Sequence, residues 1–134
     1  MNDYQRAIDI YEELMSHRRY FHQHAEIGLN TVMTLEYIEK QLNRLKIKNE
    51  RCGSGIVAYL GQGKSCILLR ADIDALVLKE QTGLSYACEN NKMHACGHDF
   101  HAAMLLGAAK LLKQEESMLK GNAVITSPKS HLIV

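Results

Sequence analysis

His94-Ala95-Cys96-Gly97-His98-Asp99-Phe100-His101 gathers three of the chain's seven histidines, one of its four cysteines and an aspartate into one short stretch. No pattern of core packing asks for imidazole, thiolate and carboxylate at that density. They are the donors that zinc and similar divalent ions take. Cys96 and His98 stand two apart, so in a looped segment both can reach one ion. Asp99 is placed to orient a ligand or to bridge two ions. His101 lies one helical turn beyond His98, and His94 suits a supporting position behind the ligands. The blander alternative is a set of loop histidines with no metal.

Working outward, Cys66-Ile67-Leu68-Leu69 is a continuous apolar run. It predicts a strand over 65–71 that is buried on both faces. The run ends in Arg70-Ala71-Asp72-Ile73-Asp74, which sets two carboxylates beyond the carboxyl end of a strand, where ligands collect in open α/β sheets. An N-cap and a solvated turn are the plainer reading of the same residues. Residues 56–60 form another strand, and Gly61-Gln62-Gly63-Lys64 between the two predicts a hairpin turn. Gly83 to Cys88 is irregular or a short strand. After the histidine cluster, a helix from about Asp99 to Glu116 carries Met104, Leu105, Ala108, Leu111 and Leu112 on one face. Asn122 to Thr126 opens a further strand. Before Ile56, helical spacing predicts one helix from Asp3 to Phe21 (Ile8, Tyr11, Leu14, Met15) and another from Thr31 to Leu45 (Leu35, Ile38, Leu42, Leu45). Asn30 or Thr31 is the expected N-cap of the second. The order ααββ-loop-αβ indicates an α/β layer structure.

The totals bound the function. With 134 residues, 46% apolar and 23% charged, the chain is long enough for one globular domain. A net charge of +1 argues against a nucleic-acid or membrane surface driven by bulk charge. No run is long and apolar enough to span a membrane. The first residues lack the apolar core of a signal peptide, so a cytoplasmic location is expected. Cys52, Cys66, Cys88 and Cys96 form no CxxC pair and are expected as free thiols. His22 and His24, at the end of the first helix, read as surface residues or helix C-terminal cations. Glu115-Glu116 reads as a solvated helix end. Cys96 acting as a nucleophile with a histidine base is a separate possibility. The crowding of His94 and His98 around it favours metal ligation.

Three blocks carry a family resemblance. Arg18-Arg19-Tyr20-Phe21-His22-Gln23-His24-Ala25-Glu26-Ile27-Gly28 resembles RR-x-LH-x-x-PE-L-G. Leu69-Arg70-Ala71-Asp72-Ile73-Asp74-Ala75-Leu76 resembles LRADMDALP, and Met93 to Ala102 resembles MHACGHDxHTA. In this order and spacing they resemble the metal-dependent amidohydrolase branch of the aminoacylase/carboxypeptidase superfamily, which includes hippurate hydrolases and N-acyl-amino-acid amidohydrolases. Ala25 and Val77 replace two family prolines, and Asn30 stands where a glutamate is common.

The resemblance implies an α/β fold. It would be the N-terminal portion of a zinc-peptidase-like catalytic domain, an incomplete mixed sheet with flanking helices. That partial domain would cover 1–126, with 127–134 an unpatterned tail explained by truncation or a frameshift. Cys96 and His98 are implied as metal ligands and Asp74 as the supporting aspartate. Asp72 stands where related branches place a metal-binding histidine. It joins His94, Asp99 and His101 as supporting or substrate-contacting groups. The implied cofactor is a divalent metal (zinc, manganese, cobalt or nickel), with two ions in an intact member. The implied reaction is hydrolysis of the amide of a small N-acyl amino acid by a metal-activated water, without nucleic acid or membrane as partner. Intact members often dimerise through a domain not found here. The family's general base comes from a Glu-Glu pair after the next strand, and no glutamate follows Glu116. The chain alone is therefore expected to be inactive. The alternatives are a non-catalytic metal- or partner-binding remnant and a thiol-dependent hydrolase using Cys96.

Overall fold

A computed structural model describes residues 2–127. Helices α1 (Asp3–Asp9), α2 (Tyr11–Gln23) and α3 (Val32–Arg44) precede strands β1 (Lys48–Cys52), β2 (Gly55–Gly61) and β3 (Cys66–Arg70). Helix α4 (His98–Gln114), a single 3₁₀ turn (Glu116–Met118) and strand β4 (Asn122–Ser127) follow. The predicted first helix is broken at Ile10. The break turns α1 so that Arg6 donates to the Leu111 carbonyl of α4 at 2.9 Å. Helix α3 begins where expected, but its cap differs. The Glu26 carboxylate accepts from the N–H groups of Met33 and Thr34 at 3.1 and 2.6 Å, whereas the Thr31 side chain makes no capping bond. A carboxylate from the preceding turn serves the free N–H groups and the helix dipole together.

The four strands run in the order β1-β2-β4-β3, with β3 parallel to β4 and the other pairs antiparallel. The expected hairpin between 56–60 and 65–71 does not form. The crossover from β3 through α4 returns β4 alongside β3, as a parallel pair requires. β4 then fills the place between β2 and β3. The hairpin present joins β1 to β2 through Gly53 and Ser54, and β1 had no signal in its polar sequence. The glycines at 61 and 63 answer to close packing: a Cβ on Gly61 would lie 2.4 Å from the Gly121 carbonyl oxygen. Ser127, expected in a tail, is the last residue of β4 and pairs with Ile56. The rest of that tail lies outside the described residues.

Ile56, Ala58 and Leu60 of β2 and Ala123 and Ile125 of β4 face the helices and are buried with Phe21, Ile38, Leu42, Ala102 and Leu106. The expectation of a strand buried on both faces fails for β3, where Ile67 and Leu68 are 65% and 63% exposed. β3 is an outer strand, and of its residues only Leu69 packs toward the core. No helix among the described residues is long and apolar enough to cross a membrane.

Candidate metal centre

Beyond β3 the backbone stays extended. Ala71, Ile73 and Ala75 point into the core at 4%, 1% and 4% exposure, so Asp72 and Asp74 between them face outward. Backbone hydrogen bonds hold this segment on both sides. The Ala75 N–H donates to the Glu26 carbonyl at 2.7 Å, and Leu76 and Met93 exchange a pair at 2.9 Å. The second contact seats Asp74 beside the histidine loop. His98 Nδ1 then lies 2.9 Å from the Asp74 carbonyl and 3.0 Å from its carboxylate Oδ1. Both neighbours are acceptors, so the ring proton sits on Nδ1 and the Nε2 lone pair is left free. Cys96 is exposed. Gly97 makes the turn between them in the left-handed region, at φ 97°. The His101 ring centroid is 5.7 Å from that of His98. Leu69, Arg70, His101 and Met104 line an open groove of about 370 Å³ next to it. Asp72 is paired with Arg70 at 2.8 Å.

The other end of the loop is closed. Asp99 is 0% exposed, and its Oδ2 accepts from Arg18 Nε at 2.9 Å and from His22 Nδ1 at 2.8 Å. His22 Nε2 lies 2.6 Å from Glu80 Oε1. With a carboxylate at each ring nitrogen, both bonds form when both nitrogens carry protons. Arg18 and His22 thus give the buried Asp99 and Glu80 carboxylates hydrogen-bonding partners, as burial of polar groups demands. Burial pushes the Glu80 carboxyl up. Hydrogen bonds from His22, the Cys88 N–H and the Thr82 hydroxyl outweigh it and hold Glu80 below the usual carboxylate range. His94 is 5% exposed with both ring nitrogens lacking a partner, and burial lowers it to about 4.

The structure thus brings Asp74 and His101 to His98 and leaves the Cys96 thiol two residues away exposed. It sends Asp99 inward and leaves Asp72 on an arginine. His22 corrects the expectation of a surface or helix-end cation, whereas His24 does cap its helix, through Nδ1 and the Tyr20 carbonyl at 2.8 Å. A signal for His22 existed. The stripe at Leu14, carried on at helical spacing, lands on Arg18, Phe21 and His22, so polar side chains continue an apolar face, whereas Ile8 and Tyr11, also expected on it, are 48% and 56% exposed. Among the described residues no three His, Cys, Asp or Glu side chains converge closely enough to hold a metal ion. The donor chemistry still fits one: a free imidazole nitrogen braced by a carboxylate, an exposed thiol two residues away, and a buried imidazole whose nitrogens are both unpartnered.

Residues 68–127 match the model of peptidase family M20/M25/M40. The chain is 36% identical to IAA-amino acid hydrolase ILR1-like 5 of Arabidopsis thaliana, over 87% of this chain and 28% of that protein. It is 44% identical to N-acetyl-L-cysteine deacetylase of Bacillus subtilis, over 82% of this chain and 28% of that one. Among solved structures, the Bacillus subtilis YXEP protein is described as a dinuclear metal binding peptidase from the M20 family. It superposes with a TM-score of 0.87 at 34% identity, covering 93% of this chain and 37% of that chain. The chain thus spans under a third of the curated relatives it matches. In sequence and fold together, the chain resembles peptidase family M20/M25/M40.

Proposed function

We propose that this chain supplies part of the centre of a metal-dependent hydrolase that cleaves the amide bond of N-acyl amino acids. The posture of His98 carries the reading. Asp74 holds the proton on Nδ1 through two oxygens, which leaves the Nε2 lone pair free, two residues from the exposed Cys96 thiol. A divalent metal ion bound there would polarise the scissile carbonyl and lower the pKa of a water. The chain's own residues have preparatory work. Cys96 and His98 would be the ligands, with Asp74 bracing His98. The groove beside His101 would take part of the substrate. The substrate class follows the IAA-amino acid hydrolase and the N-acetyl-L-cysteine deacetylase among the relatives. Two ions would follow the dinuclear Bacillus subtilis relative, and zinc, manganese, cobalt or nickel suits such a mixed donor set.

Two ligands bind more weakly than a closed shell of four. No glutamate follows Glu116 to take the proton of water, and losing a general base costs roughly 10²–10⁴-fold in rate. We therefore expect 1–134 to bind metal but not to turn over. The test is cobalt titration of the purified chain with absorbance detection, alongside Cys96→Ser and a hydrolysis assay on hippurate and N-acetylcysteine. A thiolate-to-cobalt band in the parent, lost in Cys96→Ser, is expected with no hydrolysis. A band unchanged by Cys96→Ser overturns the ligand assignment, since Cys52 and Cys66 are also exposed. Chelator-sensitive turnover overturns the expected inactivity. Turnover by metal-free protein that iodoacetamide stops would make Cys96 a nucleophile.

A further inference from the structure

The segment 79–88 crosses the closed corner as a strap without regular secondary structure. It is fastened to α2 by two side chains. Glu80, its side chain 0% exposed, meets His22, and the Tyr86 hydroxyl accepts from Arg18 at 3.1 Å. Arg18 also lies over the Tyr86 ring at 5.3 Å, and His22 meets that ring edge-on. These are the same two α2 side chains that hold Asp99. Glu80 also folds the strap on itself, accepting from the Cys88 N–H and from Thr82, both at 2.7 Å. Asp99 follows His98 directly, inside the first turn of α4, where the Phe100 and His101 N–H groups bond back to Gly97.

We propose that Glu80 and Tyr86 are positioning residues for His98, acting through His22 and Arg18 on Asp99. The physical reason is shared partners. If the strap lifts, His22 keeps one carboxylate instead of two and Arg18 loses its phenol acceptor and a ring. Both are then free to leave the orientation that pins Asp99, and the turn carrying His98 loosens with them. Strap closure and His98 geometry therefore form one equilibrium, and coupling between sites is reciprocal. A metal held at His98 would tighten a strap that contributes no ligand to it. This last step rests on the metal-centre proposal. The coupling itself does not.

Hydrogen exchange of the full chain by mass spectrometry separates the two. In metal-free protein, Glu80→Gln keeps the side-chain shape but removes the charge facing His22, and Tyr86→Phe keeps the ring but removes the acceptor. Each is expected to speed exchange about tenfold at peptides covering both 80–88 and 97–101, within the usual range of coupling, while α3 is unchanged. Faster exchange confined to 80–88 overturns the proposal. So does a rise shared equally with α3, which would be general destabilisation. Cobalt is then expected to slow exchange at 80–88 in the parent, and Glu80→Gln to weaken cobalt binding about 10–100-fold, as loss of a ligand's support does. If the parent binds no cobalt, the metal-centre proposal falls, and the metal-free exchange still decides the coupling.

Discussion

Cys96 and Asp99 belong to one loop and have opposite surroundings. Cys96 is exposed. Asp99 is 0% exposed and pinned by Arg18 and His22 of α2. A carboxylate taken from water costs several kcal/mol unless charges of opposite sign meet it, so the closed end had to draw Arg18 and His22 inward. A group meant to hold an ion has the contrary need: its lone pair must stay free and face open space. The closed end thus anchors the loop, while the open end keeps the exposed thiol that the proposed metal site would use.

The contrast sets the order of expected effects. Asp99→Ala leaves Arg18 and His22 without their shared anion in a dry corner and should cost about 3–5 kcal/mol in urea unfolding. A loss below about 1 kcal/mol would mean that water reaches the corner. Gly97 lies between the two ends at φ 97°, with open space where a Cβ would point. Gly97→Ala should therefore cost about 1–2 kcal/mol through the backbone alone, measurable in the same unfolding experiment. Cys96→Ser should change stability by less than about 0.5 kcal/mol while abolishing the cobalt band. A large stability loss there would place Cys96 with the anchor.

A second buried histidine gives the smallest effect and sharpens the contrast with His22. His17 bonds the Tyr37 hydroxyl at 2.8 Å and has Glu13 only at 3.6 Å. Lys110 of α4 and Arg44 of α3 are its other charged neighbours. Burial lowers it below its ordinary 6.5, against the pull of Glu13. The unfolded chain then takes up the proton first. The contribution of His17 is full above 6.5 and is lost as pH falls from there toward the folded value. Thermal melts between about pH 7.5 and 5 should show the parent losing more Tm than His17→Gln; equal losses would mean that His17 titrates as if exposed.

How far the sequence could be read depended on whether neighbours had a say. Helix α4 and strand β4 were legible as elements because their periodicity is local, but the face expected for α4 was not: Met104 is 56% exposed, while Ala102, Ala103 and Leu106 are buried. The alternation of Ala71, Ile73 and Ala75 with Asp72 and Asp74 likewise shows in the chain itself. β1 was not legible, since Lys48-Asn49-Glu50-Arg51-Cys52 is polar on both faces and is a strand only because β2 pairs with it. The hairpin error has the same root. Two glycines between apolar runs signal a turn whether or not the runs pair, and β4, which separates them, arrives more than fifty residues later. Glu80 gave no signal at all. Its role exists only where His22 meets it across the fold.

By itself the sequence determined the α/β class and the family resemblance, and it singled out Cys96 and His98 as expected ligands with Asp74 in support, because residue type and short spacing suffice for a motif and for periodic burial. Tertiary structure alone decided which carboxylate faces the open corner and which is sealed, that His22 is buried between Asp99 and Glu80, and that β3 lies at the edge of the sheet. Those outcomes depend on contacts between residues distant in sequence. The cost of burying a charge or exposing a strand is set by whatever the fold brings beside it.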